Sequence, residues 1–170
     1  MFQKVEKSWI PFGEMGTQTT LDRMAKIVND SIHLPIVRDH AIRITKGMDG
    51  RNRTAQASAI RSWILRNMVF IRDPEQVEMI HTPENMLMQY QEKGAIYGDC
   101  DDMAVLAASL GKSIGIKARF VVLGFNGKNS PFSHVYTLLD CGNEMYLAVD
   151  SNSGYPWLKS SVTRKAWRNV

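Results

Sequence analysis

The sequence predicts an α+β domain in which one helix with small residues stands between a helical half and a β half. Two patterns carry this. Apolar residues recur at helical spacing through most of the first half. From residue 118 onward, three short apolar runs bounded by turn residues read as strands. A length of 170 residues suits one domain with a real core.

The elements follow in order. Residues 1–16 carry Pro11, Gly13 and Gly16 and read as an extended arm. Residues 17–94 form a mostly helical half. Thr19 or Thr20 caps a helix running through Leu21, Met24, Ala25 and Val28. Pro35 breaks that pattern, and Ile36 to Thr45 gives a second helix. Gly47 to Asn52 is a turn. Thr54 to Met68 gives a third helix, with Ala57, Ile60, Trp63, Ile64 and Asn67 on one stripe. Val69-Phe70-Ile71 is a short strand stopped at Asp73-Pro74. Thr82-Pro83-Glu84 opens a fourth helix, with proline at a tolerated first-turn position. Residues 95–152 form the core of interest. A fifth helix runs from Cys100 to Ser113 and ends at Gly115, and Ala107, Ala108 and Gly111 let it pack closely. Strands follow at Ala118 to Phe125, Ser133 to Leu139 and Glu144 to Asp150, with a loop at Asn126 to Pro131 and a turn at Asp140 to Asn143. Residues 153–170 form a basic, aromatic tail.

Hydrophobic residues make up 44% and charged residues 22%, as in ordinary soluble domains. The longest apolar stretch, Met103 to Ile116, is interrupted by Lys112 and is too short to span a bilayer. Met1 to Glu14 lacks the apolar centre of a signal peptide. A cytoplasmic protein without a membrane span is expected. Net charge is +4, and residues 151–170 hold Lys159, Arg164, Lys165 and Arg168 with no acid, so the excess lies in the tail. With Tyr155, Trp157 and Trp167, this tail would suit nucleic acid or an acidic protein. The alternative is a packed segment with solvated charges.

Cys100 lies in Gly98-Asp99-Cys100-Asp101-Asp102-Met103-Ala104, where a loop becomes a helix. The unpaired N–H groups and dipole of a helix N-terminus favour a thiolate. His134 and Asp150 supply the residue types that activate and orient such a thiol. A three-residue hairpin loop pairing Asp140 with Glu144 sets His134 directly opposite Asp150, on a face with Tyr136, Leu138, Tyr146 and Ala148. That face is expected to meet the helix bearing Cys100, while the more apolar Val135, Thr137, Leu139, Met145, Leu147 and Val149 are buried. A slip of one residue would separate the pair. Cys100 is then the nucleophile, His134 the base, and Asp150 the group that holds the other ring nitrogen. The backbone N–H of Cys100 is one oxyanion donor, and Trp63, ranked ahead of Tyr97, is a candidate second. Against this, Asp99, Asp101 and Asp102 surround the thiol, and negative charge disfavours a thiolate. Asp99 can instead cap the helix. A metal held by Cys100, His134 and Asp150 is the weaker reading, because no second Cys or His sits at ligand spacing. His33, His40 and His81 read as structural or surface residues, and Cys141 as an incidental turn residue.

The run from Gly98 to Ala104, with Leu106, Leu110 and Gly115-Ile116-Lys117-Ala118-Arg119, resembles the transglutaminase-like superfamily of papain-like thiol enzymes. Ser133-His134-Val135-Tyr136 and Ala148-Val149-Asp150-Ser151 match the later His and Asp motifs. The resemblance covers about residues 95 to 152. Thr17 to Ala25, Trp63 and Phe70 to Pro83 also look like small members encoded by bacteriophages and prophages. The resemblance implies a central helix packed on an antiparallel sheet and a triad of Cys100, His134 and Asp150 that works without cofactor. In some members a tryptophan upstream of the cysteine supports the oxyanion, which gives Trp63 its weight. It implies a cysteine hydrolase of peptidase or amidase type, acting on a peptide or protein amide through an acyl-thioester. The alternatives are a transglutaminase or deamidase, or a virion assembly protein that keeps the fold and binds other virion proteins.

Overall fold

The computed structural model describes residues 5–8, 14–73, 78–125, 127–151 and 161–170. The order is β1 (Val5–Ser8), α1 (Glu14–Ser31), α2 (Pro35–Ile44), α3 (Arg53–Asn67), β2 (Met68–Phe70), β3 (Glu78–His81), α4 (Pro83–Lys93), β4 (Ile96–Gly98), α5 (Cys100–Ser113), β5 (Ala118–Gly124), β6 (His134–Gly142), β7 (Met145–Val149) and β8 (Arg164–Asn169). The expected α+β class is what forms. Four strands make an antiparallel sheet in the order β7-β6-β5-β8. Two small ladders stand apart: β1 with β3, antiparallel, and β2 with β4, parallel. Among the described residues, no helix is long and apolar enough to cross a membrane.

The helix α5 is central, with every residue from Asp101 to Gly111 buried. Its small residues permit this. A β-carbon on Gly111 would come within 2.7 Å of Leu139 Cδ2 on β6. Helices α1 to α4 pack around α5, and their apolar stripes join Phe120, Leu139 and Val149 of the sheet in one core. Lys112 Nζ donates to Asn29 Oδ1 at 2.8 Å, and Arg53 Nη1 donates to the Ile114 carbonyl at 2.9 Å, fastening the far end of α5 to α1 and α3.

Local chemistry explains most boundaries. Asn52 caps α3 by accepting from Ala55 N, and Thr82 caps α4 by accepting from Asn85 N. Gly94 ends α4 at φ +74° and Gly115 follows α5 at φ +83°. Several expectations need correction. The first helix begins at Glu14, not at Thr19 or Thr20, and Thr19 Oγ1 donates back to the Met15 carbonyl inside it. A glycine such as Gly16 weakens a helix by about 1 kcal/mol, and packing of the apolar face overrides that. Pro35 is the first residue of α2, the position where its missing N–H costs nothing. The arm contributes β1, and residues 164–169 of the tail form the edge strand β8. Pro11, Gly13, Asn126, Tyr155, Trp157 and Lys159 lie outside the described residues. In β8, Arg168 pairs with Asp22 of α1. Arg164 Nη1 donates to the Ser130 carbonyl at 3.0 Å and its guanidinium lies 4.5 Å from the Phe132 ring centre. Two of the tail's cations therefore hold the strand in place.

The register of β6 and β7 also differs. Thr137 faces Val149, Leu138 faces Ala148 and Asp140 faces Tyr146, with a bulge between Asp140 and Gly142. The turn is Asn143-Glu144, both at positive φ (51° and 61°), so the hairpin closes two residues later than a loop at 141–143 would allow. A shift of two keeps every side chain on its face.

Candidate active site

Asp99 gives Cys100 its setting. Its carboxylate accepts from Asp101 N at 3.2 Å, and Asp102 Oδ2 accepts from Asp99 N at 3.3 Å, a reciprocal cap that starts α5 at Cys100. Gly98 is required just before it, because a β-carbon there would collide with Asp102 Oδ2 and lie 2.8 Å from Asp102 Cβ. Cys100 is half-buried and not in a disulfide, as is Cys141.

The acids around the thiol are less hostile than their charges suggest. Asp101 is buried, and Oδ2 has no hydrogen-bond partner. Burial, reinforced by hydrogen bonding to Asp99, pushes its carboxyl well above the usual range and favours the neutral form. Asp102 Oδ1 accepts from His81 N at 2.7 Å and Oδ2 lies 3.0 Å from His81 Nδ1. That hydrogen bond raises the His81 pKa, because the imidazolium is the better partner for a carboxylate. Burial raises Asp102, with His81 pulling the other way. Read from sequence as structural or surface, His81 is thus half of a second His–carboxylate pair beside the thiol helix. No spacing signal links residues 81 and 102, since β3 is brought to α5 by tertiary packing. The ligand atoms of Asp99, Asp101 and Asp102 lie within 4.8 Å of one another, which the cap and the His81 bond account for.

His134 and Asp150 come together. Nε2 of His134 lies 2.8 Å from Asp150 Oδ1, and both side chains are largely buried. The ladder of β6 and β7 ends at Thr137 facing Val149, so Asp150 follows the last paired residue and meets His134 on a diagonal. Tyr136 stacks on His134 at 6.3 Å between ring centres, and burial raises its hydroxyl pKa, with Asp150 adding to the shift.

The helix covers the other face. Thr137 Oγ1 donates to the Ala104 carbonyl at 2.7 Å, so Val135, Thr137 and Leu139 form the side that meets α5. This corrects the expectation that the His134 face meets it. The contacts also set direction. From Ala104 to Gly111 the helix advances about 10 Å while its neighbour on β6 moves from Thr137 to Leu139, about 7 Å. The helix and strand therefore run the same way, and both begin at one end of the layer. Cys100 and His134 share an end rather than a face.

Trp63 lies among aromatic rings, 4.4 Å from His40 and 5.0 Å from Tyr90 between ring centres. His40 is buried there with Nδ1 3.1 Å from Arg43 Nη2, and burial lowers its pKa to about 4. Tyr97 is on β4, three residues before Cys100, with its N–H donating to Gln89 Oε1 at 2.7 Å. A cleft of ≈ 420 Å³ lies between α1 and the β5–β8 ladder, lined by residues such as Leu21, Phe132 and Trp167 and by none of the triad positions.

Among curated proteins, none matches the chain. Among solved structures, a candidate cysteine protease from Cytophaga hutchinsonii shares the fold, with TM-score 0.55 and 18% identity over 78% of this chain and 41% of that one. A candidate protease from Parabacteroides distasonis does so with TM-score 0.57 and 14% identity over 82% of this chain and 30% of that one. The chain thus spans less than half the length of either. The model of the transglutaminase-like superfamily matches residues 39–170, the part that holds α5, the sheet and all three candidate site residues, and the chain belongs to that superfamily.

Proposed function

We propose that the protein is a cysteine hydrolase of peptidase or amidase type that works through an acyl-thioester on Cys100. The observation that carries this is the 2.8 Å bond between His134 Nε2 and Asp150 Oδ1 at the end of the layer where α5 begins with Cys100. The carboxylate holds Nε2, so Nδ1, across the ring, is the nitrogen that would take the thiol proton. The resulting thiolate is favoured by the start of α5 and by imidazolium. Attack on an amide carbonyl breaks the C–N bond once His134 returns the proton to the leaving amine. The Cys100 N–H supports the oxyanion, with Trp63 or Tyr97 as the second donor. Water then resolves the thioester, and an amine in its place would make the protein a transglutaminase.

The test uses p-nitrophenyl acetate as acyl donor, with peptide mass spectrometry locating the acetyl group. The reading expects a burst of nitrophenolate and acetylation of Cys100, slowed by about 10²-fold or more in His134→Ala. Equal labelling of Cys141, or a His134→Ala variant that acylates normally, contradicts it.

A further inference from the structure

We infer that the strand ledge feeding the Cys100 loop is a docking site for an apolar side chain of an extended polypeptide substrate, which rests on the reading of Cys100 as nucleophile. In the β2–β4 ladder Val69 faces Tyr97 and Phe70 faces Gly98, and Ile71 N donates to the Gly98 carbonyl at 2.9 Å. Gly98 is two residues from Cys100, so the ledge ends beside the thiol. Directly paired residues project to one side, which places Val69 and Tyr97 on one face with Ile71 continuing it, and Phe70 on the reverse. All four are large, apolar and open: Val69 is 46% exposed, Phe70 48%, Ile71 52% and Tyr97 36%. Val69, Ile71 and Tyr97 thus share one open face, and contiguous apolar exposure of this kind marks a binding surface.

The backbone points the same way. Among the described residues β2 pairs only with β4, so its outer edge carries ladder groups with no strand against them. An extended peptide can add to such an edge through its main chain, while alternate side chains reach the apolar face. The occupant is a polypeptide with a Leu-like residue near the scissile amide. An acidic ligand would gain nothing from Val69 or Ile71.

Peptidyl chloromethyl ketones test this directly. A leucine is moved through each position of a triglycine reagent, and alkylation rates at Cys100 are compared with the all-glycine reagent and with iodoacetamide. The inference expects leucine in at least one position to speed labelling about tenfold, as burial of such a side chain allows. Val69→Thr/Ile71→Thr, which keeps β-branched shape, removes that preference and leaves the iodoacetamide rate unchanged. If leucine and all-glycine reagents label the unaltered protein equally, or the double variant keeps the preference, the ledge is not the docking site while Cys100 remains the nucleophile. If no reagent, iodoacetamide included, labels Cys100 faster than Cys141, the reading of Cys100 as nucleophile falls and takes the ledge with it.

Discussion

His40 is held neutral by burial between Trp63 and Tyr90, with its pKa at about 4 against 6.5 when free. Above pH 6.5 neither folded nor unfolded chain binds the proton. As pH falls from 6.5 towards 4, the unfolded chain takes a proton that the folded chain refuses, so stability drops. The shift corresponds to up to about 3 kcal/mol. Urea unfolding at neutral pH and near pH 4.5 should therefore show a smaller acid loss in His40→Phe than in the unaltered protein; equal losses would contradict the assignment. The acids beside the thiol show how far single residues could be read. Asp99 as cap was legible, because Asp before an apolar run satisfies exposed N–H groups. That Asp101 is driven towards neutrality and Asp102 is tied to His81 was not, since both depend on burial that only packing creates.

At the scale of elements, the start of α5 followed from Asp99 as cap and that of α4 from Pro83 in the first turn, while Asn52, read as a turn residue, caps α3, and the hairpin did not follow as simply. Gly142 pointed to a turn at 140–143, but it sits in the bulge, at φ +84°, and the chain reverses at Asn143-Glu144. Glu144 at φ 61° is a strained place for a residue with a β-carbon. Glu144→Gly should stabilise the protein by about 0.5 kcal/mol, the relief of left-handed strain exceeding the extra freedom of the unfolded chain. The urea midpoint at constant slope reads this, and a fall in midpoint would contradict the turn assignment. The shift of two residues preserved the His134–Asp150 pair, because strand faces repeat every second residue. β2 was read one residue late, at Val69-Phe70-Ile71, but the strands β1, β3, β4 and β8 left no such local mark. Each is three to six residues long and is defined by a partner distant in sequence.

For the whole molecule, the central event is that α5 and β6 start at the same end. Small residues let α5 sink into the core, Thr137 bonds it to β6, and the first residues of the two elements, Cys100 and His134, lie towards that shared end. The class and the order of α1 to α5 and β5 to β7 were readable because periodicity changes from helix to strand near residue 116. The face that α5 covers was not, since both faces of β6 carry apolar residues and only packing chooses between them. The central claim is that this arrangement makes Cys100 an activated thiol. The most direct measurement is the rate of iodoacetamide alkylation from about pH 5 to 9, resolved by peptide mass spectrometry into Cys100 and Cys141, with and without His134→Ala. The account predicts that Cys100 reacts well below the ordinary thiol pKa of about 8.5 and loses that advantage in His134→Ala. Equal pH profiles for Cys100 and Cys141, or a Cys100 profile indifferent to His134, would contradict it.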